Sequence, residues 1–446
     1  MVLFVFYYLY FIKKFYKFIA LINLFILINL FILYLLKYFK YAYCFKFIYM
    51  SYLIAPTFNI FSLIIIFIAI YFSFIVFLIS DNKVWKHYYY ILLISLFPII
   101  SILYVFTNNI IFFFYLYELF LLPSILLVYY LSPNKRAIIA VFYFLIWTQI
   151  GSFLIFLVII IIINYLNIWF FYLIDIYYIS ALIKRLLFWL LFIGFGIKVP
   201  IWPFYYWLTK THVEAPTFFS IYLSGFLVKT ALYGFYKLFF FLFFDSLVIS
   251  FAILFFSIID VSLKFYSQVD LKKLIAYSTV QEMNLIFCGL IWGTKKSLIY
   301  VALFSLTHTL LSTIFFFLVD VIYKRYYSRS IYNIIGIFEL YPLLSCSIIL
   351  ACLNYNGFPF SLKFFLELLV FNMLVEINLF SSIILLIFLN WFGTVNFTYL
   401  WFRLLFGTSY FNLSLYNFDL IKKEILLLWL TFYLFYQYIF ILYFIF

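Results

Sequence analysis

Long apolar segments, many of them long enough to cross a lipid bilayer, follow one another along the whole chain. Residues 59–80, for example, read NIFSLIIIFIAIYFSFIVFLIS and carry no charged side chain. A bilayer core about 30 Å thick needs roughly 20 apolar residues as a helix, whereas strands of membrane barrels are short and alternate apolar with polar residues. Because lipid cannot hydrogen-bond the backbone, such segments cross it as helices. We therefore predict an all-α polytopic membrane protein.

The composition excludes a water-soluble fold and gives no sign of a redox or metal centre. Of 446 residues, 70% are hydrophobic and only 9% are charged, and the mean hydropathy is +1.24. The net charge of +14 comes from lysines and arginines in short loops, so it does not indicate nucleic-acid binding. The four cysteines form no CxxC pair and there is no GxGxxG segment. We therefore predict no cofactor and no metal in this chain.

Polar residues, prolines and glycines divide the chain into fourteen predicted helices, of which the first is short. They are placed at 1–12, 18–36, 55–80, 88–106, 109–131, 137–163, 182–208, 217–241, 246–266, 273–293, 297–322, 338–376, 379–402 and 425–446.

Two of these helices are interrupted by residues that break helices. The breakers are Gly194, Gly196, Pro200 and Pro203 in segment 182–208, and Pro342, Gly357 and Pro359 in segment 338–376. Proline removes a backbone donor and clashes with the preceding turn, and lipid cannot satisfy the freed carbonyls. Paired interruptions at matching places in two halves are typical of transporters built from inverted repeats. Two unrelated packing kinks are the alternative explanation.

Seven ionisable side chains lie well inside predicted spans, where a charge costs at least about 2.5 kcal/mol. They are Glu118, Lys198, Lys229, Glu282, His308, Lys363 and Glu367. Lys198 directly precedes the first break, and Glu118 is its expected partner by depth in the membrane. A lysine whose carboxylate partner can move away can take up and release a proton. A snorkelling lysine or a structural ion pair explains any one of these groups, but a proton relay better explains the set.

Other ionisable groups near the breaks have more ordinary explanations. Lys363 and Glu367 are four residues apart, so we expect them to share one helix face and to pair. Lys210, His212 and Glu214 follow the first break, where we predict a loop, and Glu214 is a candidate cap for the next helix. Loop and cap chemistry and a direct proton role both remain open for these three residues.

Around these residues the chain resembles a known family. The segments KVPIWPFYYWLTKTHVEAP at 198–216 and GFLVKTALYGFYK at 225–237 are similar to the NADH–ubiquinone oxidoreductase chain 4 family. This family, also called NADH dehydrogenase subunit 4, comprises antiporter-like proton-pumping subunits of respiratory complex I. YELFLLP around Glu118, DLKKLIAYSTV at 270–280 and GFPFSLKFFLE at 357–367 extend the resemblance.

The resemblance implies a fold of fourteen helices with two inverted five-helix repeats. The repeats would cover 109–241 and 242–402, with N-terminal helices over 1–108 and a C-terminal helix over 403–446. It also implies a proton relay consisting of the pair Glu118 and Lys198, the connecting Lys229, the central His308 and the exit-side Glu367. Further candidates for this relay are Glu282, Lys363, His212 and Glu214.

The same resemblance implies a place in a larger enzyme. The chain would be a subunit of the proton-translocating NADH:ubiquinone reductase of the mitochondrial inner membrane, without redox chemistry of its own. NADH, FMN, iron–sulfur clusters and ubiquinone would bind partner subunits. Other antiporter-like chains of the membrane arm, together with lipid, would be its neighbours.

Three positions depart from the family pattern. Tyr205 and Glu282 stand where the family usually has histidine, and Lys363 stands where it usually has a neutral polar residue. Tyr205 can hydrogen-bond but does not titrate near neutrality, and Glu282 carries a proton with the opposite charge sign. These departures affect the details of the central relay.

Three other functions are open to a chain of this kind. One is a cation/proton antiporter subunit of the same ancestry, and another is a proton-silent scaffold subunit of the same arm. A haem-binding cytochrome is the third, but it needs axial ligands within the membrane. Only His308, of the three histidines, lies deep in a predicted span, so a pair of histidine ligands is excluded.

Overall fold

The fold is known from a computed structural model, which describes residues 60–79, 88–131, 135–171, 180–239, 248–292, 295–359, 361–377, 379–407 and 419–445. Throughout these ranges the regular secondary structure is helical, and the only β-type pairings are two isolated bridges. The all-α prediction is therefore confirmed. The predicted helices at 1–12 and 18–36 lie outside the described residues.

The first half of the described chain contains ten helical segments. They are α1 (Ile60–Ile79), α2 (Tyr88–Phe106), α3 (Ile110–Leu119), α4 (Leu121–Leu131), α5 (Lys135–Leu166), α6 (Ala181–Lys198), α7 (Tyr206–Glu214), α8 (Thr217–Tyr222), a π-helical turn (Leu223–Leu227) and α9 (Val228–Phe239). The predicted helix 109–131 is divided at Phe120 into α3 and α4. Asn109 caps α3, because its side-chain oxygen accepts from the amides of Ile111 and Phe112.

The second half follows a similar order. It contains α10 (Val248–Lys264), α11 (Leu271–Trp292), α12 (Lys295–Tyr326), α13 (Ile337–Leu340), α14 (Pro342–Tyr355), α15 (Leu362–Ile377), α16 (Leu379–Leu386), a π-helical segment (Ile387–Val395), α17 (Asn396–Leu405) and α18 (Lys422–Ile445). Short 3₁₀ turns follow α10 and α12.

Seven stretches of the described chain are long and apolar enough to cross a membrane. In two of them, within α11 and α12, an 18-residue apolar part is buried throughout by the surrounding helices. Glu282 on α11 and His308 on α12 are 5% and 2% exposed, so these two ionisable side chains face protein rather than lipid. This is the environment in which a charge inside a membrane protein is tolerated.

Both predicted breaks are present, and each contains two of the breakers identified in the sequence, whereas Gly194 and Gly196 lie within α6 and Pro342 begins α14. α6 ends at Lys198 and α7 begins at Tyr206, so Pro200 and Pro203 lie between them. α14 ends at Tyr355 and α15 begins at Leu362, with Gly357 in a left-handed conformation at φ 68°. This conformation suits glycine, which has no Cβ to clash with the backbone.

One local prediction after the first break is wrong. Lys210, His212 and Glu214 lie on helix α7 rather than in a loop. No proline or glycine occurs between Pro203 and Pro216, so the helix resumes as soon as the second proline has passed. Glu214 does not cap the following helix, since α8 has Pro216 at its cap position and no side-chain cap bond.

Two glycines allow α5 and α6 to pack closely beside the first break. A Cβ added at Gly151 would lie 2.7 Å from the carbonyl oxygen of Gly194, which is closer than a carbon atom can approach. We expect Gly151→Ala to force these helices apart at a cost of about 1–3 kcal/mol, lowering the thermal stability and the amount of assembled protein. The control is Gly289→Ala, whose Cβ would lie 3.0 Å from a methyl group of Val301, a side chain able to yield. Equal melting temperatures for both variants would contradict this view of the contact.

The last helix is held to the body by a buried ion pair. Arg325 at the end of α12 approaches Glu424 on α18 at 2.7 Å, and both side chains are less than 10% exposed. The guanidinium also donates to the backbone carbonyl of Asp419, whose carboxylate accepts from the first amides of α14. These contacts join three helices at one end of the bundle.

Candidate functional sites at the two helix breaks

The first site is an ion pair at the end of α6. Lys198 is the last residue of that helix, where the negative end of the helix dipole favours a cation. Its ammonium lies 3.0 Å from Oε1 of Glu118 on α3, and the two side chains are 9% and 21% exposed. It also lies 3.8 Å from the ring centre of Tyr117. The structure thus brings together the pair predicted from the sequence.

Glu118 has a second partner that sequence reasoning missed. Nε2 of Gln149 on α5 lies 3.4 Å from Oε2 of Glu118. The two carboxylate oxygens therefore have different neighbours, one an ammonium and the other an amide. A polar residue in an otherwise apolar helix was the available signal.

The second site begins at Lys229, just after the π-helical turn. Its ammonium lies 2.6 Å from the carbonyl oxygen of Ser224 in that turn and 2.6 Å from Nδ1 of His308 on α12. Both side chains are buried, and a π-type turn inside an α-helix is frequent at functional sites. When the ammonium donates to Nδ1, the neutral imidazole carries its own proton on Nε2.

Nε2 of His308 faces Glu282 on α11. It lies 4.0 Å from Oε2 of Glu282, within ion-pair range but beyond a direct hydrogen bond. The other oxygen of Glu282, Oε1, lies 2.5 Å from the ammonium of Lys363 on α15. Glu282 therefore faces a histidine with one oxygen and a lysine with the other.

Lys363 also approaches a second carboxylate. Its ammonium lies 3.5 Å from Oε1 of Glu367, which confirms the predicted pairing of these two residues, although Glu282 is the closer partner. The ammonium of Lys363 also donates to a third neighbour, the carbonyl oxygen of Tyr355 at the end of α14, 2.7 Å away. Lys363 is 1% exposed and Glu367 is 17% exposed, so Glu367 is the outermost group.

Five ionisable side chains thus form one continuous row, which we call the central row. Its members in order are Lys229, His308, Glu282, Lys363 and Glu367. The row starts on α9, the third α-helix after the first break, and ends on α15, the helix directly after the second break. It contains three of the relay residues implied by the family resemblance and two of the further candidates.

Two of the departures from the family pattern explain each other. Glu282 and Lys363 are in direct contact, so the added negative charge is matched by an added positive charge. A buried carboxylate without such a partner costs several kcal/mol, whereas a paired and hydrogen-bonded one is tolerated. Their joint presence therefore keeps the charge of the central row balanced.

The pair Glu118–Lys198 and the central row are separate sites. Within the described residues, the ammonium groups of Lys198 and Lys229 have no contact with one another and no shared hydrogen-bond partner. Phe195 packs against Tyr117 at one site and against Phe235 on α9, with ring centres 5.5 and 6.0 Å apart. A proton passing between the two sites therefore needs a movement of these side chains or a chain of water molecules.

Two further relay candidates, His212 and Glu214, lie on α7 and take no part in the direct contacts described for the two sites. His212 is buried and stacks on Phe316 with ring centres 4.9 Å apart. Neither of its ring nitrogens has a hydrogen-bond partner among the described residues. Glu214 ends α7 and is half-buried. Neither residue makes an ion pair with a member of the central row in the described structure.

A third polar group, next to the first break, was missed by the sequence reasoning. The hydroxyl of Tyr205 hydrogen-bonds with both Asp260 and Lys264 on α10. Asp260 and Lys264 form an ion pair at 2.7 Å and are 24% and 41% exposed. Their spacing of four residues on one predicted helix was the signal that could have found them. They fasten the break to α10 and lie apart from the central row.

In the part of the chain that the structure describes, no group of three or more His, Cys, Asp or Glu side chains could hold a metal ion. What the two sites offer instead is acid–base chemistry. A multi-pass helical membrane protein with paired ionisable groups beside interrupted helices belongs, as a class, with the antiporter-like ion translocators.

Comparison with known proteins gives the same class and a narrower family. The family model of the NADH:quinone oxidoreductase/Mrp antiporter transmembrane region matches residues 107–393. NADH-ubiquinone oxidoreductase chain 4 of Paramecium tetraurelia is 38% identical over 384 residues, covering 84% of this chain and 79% of that protein. The chain belongs to the NADH-ubiquinone oxidoreductase chain 4 family, as the sequence motifs predicted.

Two solved structures share the fold. A chain of respiratory complex I from Thermus thermophilus with bound NADH matches with a TM-score of 0.74 at 16% identity, covering 85% of this chain and 80% of that one. A chain of the Mrp complex from Dietzia sp. DQ12-45-1b matches with a TM-score of 0.72 at 14% identity, covering 87% and 76%. At these identities the likeness concerns the fold alone.

Proposed function

We propose that this chain translocates protons as a membrane-arm subunit of a respiratory NADH:ubiquinone oxidoreductase in the mitochondrial inner membrane. Its neighbours are the other antiporter-like chains of that arm. Partner subunits bind NADH, FMN, the iron–sulfur clusters and ubiquinone and carry out the redox reactions, whereas this chain has no redox chemistry of its own.

One observation carries this proposal: the central row connects α9, α12 and α11 to α15, the helix that directly follows the second break. Each adjacent pair in the row is within 4.0 Å, and each member can bind or release a proton. A buried charge with a purely structural role needs only one partner of opposite charge. The central row instead continues over five ionisable groups on four helices. A row of acids and bases in a low-dielectric interior is suited to carrying protons.

The roles we propose follow the order of the groups. Lys198 takes up and releases a proton as its contact with Glu118 changes, and Lys229 and His308 pass a proton along the middle of the membrane. Glu367 is the last group before the exit, in keeping with its greater exposure. His212 and Glu214 have no assigned step.

We also propose the repeat organisation that the resemblance implies. The first five-helix repeat covers 109–241 and the second covers 242–402, flanked by N-terminal helices over 1–108 and a C-terminal helix over 403–446, with fourteen helices in total. Support comes from the two breaks, each of which precedes an ionisable group of a site: Lys229 after the first and Lys363 with Glu367 after the second.

The alternative is a subunit of a cation/proton antiporter. The fold that this chain shares with a chain of the Mrp complex is consistent with this alternative. Purification distinguishes the two functions. We expect an affinity-tagged chain to co-purify with flavin, iron–sulfur subunits and NADH:ubiquinone reductase activity that is sensitive to inhibitors of complex I. An assembly that lacks flavin and NADH oxidation but exchanges cations for protons in vesicles would contradict the proposal.

A further inference from the structure

The geometry of the second break assigns a carrier role to one residue that departs from the family pattern. We propose that Lys363 passes protons from Glu282 to Glu367, so that the route through the second half runs through the lysine itself. This inference rests on the proposed function, since it concerns a step within that proton route.

The contacts of the ammonium support this role. A lysine ammonium has three N–H donors, and those of Lys363 face Glu282 Oε1 at 2.5 Å, the Tyr355 carbonyl at 2.7 Å and Glu367 Oε1 at 3.5 Å. Two of the three directions therefore end at a carboxylate that can exchange a proton. The third is a fixed carbonyl that holds the nitrogen between them.

Lys363 is also the link between the two glutamates in the described structure. Glu282 faces His308 through Oε2 and Lys363 through Oε1, and no direct hydrogen bond or ion pair joins it to another member of the row. Among the described residues, Glu367 forms an ion pair with one member of the row, Lys363. A proton that reaches Glu282 therefore has one neighbour through which to leave towards Glu367.

The step can be written with every proton accounted for. Protonated His308 gives a proton to ionised Glu282 at Oε2, and the carboxyl group then turns so that the protonated oxygen faces Lys363. The ammonium of Lys363 donates a proton to ionised Glu367, and the resulting amine takes the proton of Glu282. At the end Glu367 is protonated, Glu282 is ionised and Lys363 is again an ammonium.

The backbone of the second break lies close against the far side of Glu367. A Cβ added at Gly357 would lie 3.2 Å from Oε2 of Glu367, so this oxygen faces the bare backbone of the break. Glu367 is 17% exposed, compared with 1% for Lys363 and 6% for Glu282. The group that receives the proton from Lys363 is therefore also the group nearest the surface.

A static role for Lys363 is the competing explanation, because an ammonium also balances the charge of Glu282 without moving a proton. Arginine separates the two roles: it keeps the positive charge but does not give up its proton at physiological pH. Histidine is smaller and can bind and release a proton, and glutamine can do neither. A charge balancer is thus best replaced by arginine and a proton carrier by histidine.

The test compares Lys363→His, Lys363→Arg and Lys363→Gln in the assembled complex in sealed membrane vesicles. The readout is NADH-driven proton translocation per assembled complex. We expect Lys363→Arg and Lys363→Gln to lower it by about 100-fold, as the loss of a general acid–base group does, and Lys363→His to keep about a tenth of it or more. The control for placing arginine at a buried lysine is Lys237→Arg, since Lys237 bonds to backbone carbonyls of residues 105 and 107.

The outcomes decide between the roles. Wild-type translocation in Lys363→Arg would overturn the carrier role and leave Lys363 as a charge balancer. If Lys363→Arg does not assemble, histidine and glutamine are compared instead: a higher rate for histidine supports the carrier, and equal rates overturn it. Lys198→Ala is measured alongside. If it retains full pumping, the proposed function itself fails, whereas failure of the lysine step alone leaves that function standing.

Discussion

Replacing Lys198 with alanine should abolish proton translocation and most of the NADH-driven quinone reduction coupled to it, while the complex still assembles. Lys198 is the base of the first site, 3.0 Å from Glu118, and alanine can neither bind a proton nor pair with that carboxylate. A loss of about 100-fold is typical when an acid–base group is removed. Lys198→Arg should fail as well, because arginine keeps its charge but does not release its proton. Quinone reduction and acidification of coupled vesicles are the measurements.

A matched control for this prediction lies on the other side of the same break. Lys210 on α7 is placed over the rings of Tyr143 and Tyr206, 4.1 and 4.7 Å from their centres, and makes no described ion pair. Lys210→Ala should therefore leave translocation close to that of the wild type. Full pumping in Lys198→Ala, or equal losses in both variants, would contradict the role given to Lys198.

The second large effect is expected at Lys229. Lys229→Met should reduce proton translocation by about 100-fold because it removes the first member of the central row and leaves Nδ1 of His308 without its ammonium partner. Methionine has a similar length and suits a buried site, so the helix packing should survive. Translocation is measured per assembled complex, which separates transport from stability.

Lys237 on the same helix provides the comparison. It too is buried, but its ammonium bonds to backbone carbonyls, 3.3 Å from that of Val105, and approaches no carboxylate or histidine in the described structure. Lys237→Met should lower the amount of assembled complex, since it removes a buried donor from these carbonyls, and should preserve the translocation of what does assemble. If Lys237→Met and Lys229→Met lose transport equally, the central row is not the reason for the loss.

The sequence was sufficient to predict the parts of the first site that depend on depth and helix breaks. Lys198 could be placed because prolines mark the end of its helix, and Glu118 because it lies at a matching depth. Gln149 could not be placed, since its contact with Glu118 joins residues 31 positions apart and depends on how α5 packs against α3. Packing distances of this kind are decided by tertiary structure and leave only a weak pattern in the sequence.

The second site shows where the sequence reasoning stopped. The spacing of Lys363 and Glu367 predicted their pairing, and that pairing is present. The shorter contact, from Lys363 to Glu282, joins residues 81 positions apart on two different helices, so no local periodicity indicates it. The π-helical turn that presents the carbonyl of Ser224 to Lys229 is likewise absent from the apolar pattern, because its residues read as an ordinary helix.

The error after the first break has a simple physical cause. Charged residues at 210, 212 and 214 were interpreted as a loop because they are polar within an apolar chain. The helix nevertheless continues through them, since a break depends on proline and glycine rather than on charge. Lys210 extends over two tyrosine rings, as a long side chain on an amphipathic helix can.

The claim that protons pass through this chain is tested most directly at His308, whose two ring nitrogens join Lys229 to Glu282. The measurement is the number of protons translocated per NADH oxidised, together with the NADH oxidation rate, in proteoliposomes that contain the assembled complex with His308→Leu. We expect either that NADH oxidation stops along with translocation or that it continues with fewer protons per NADH than in the wild type. A wild-type rate together with a wild-type proton ratio would show that protons do not travel along the central row.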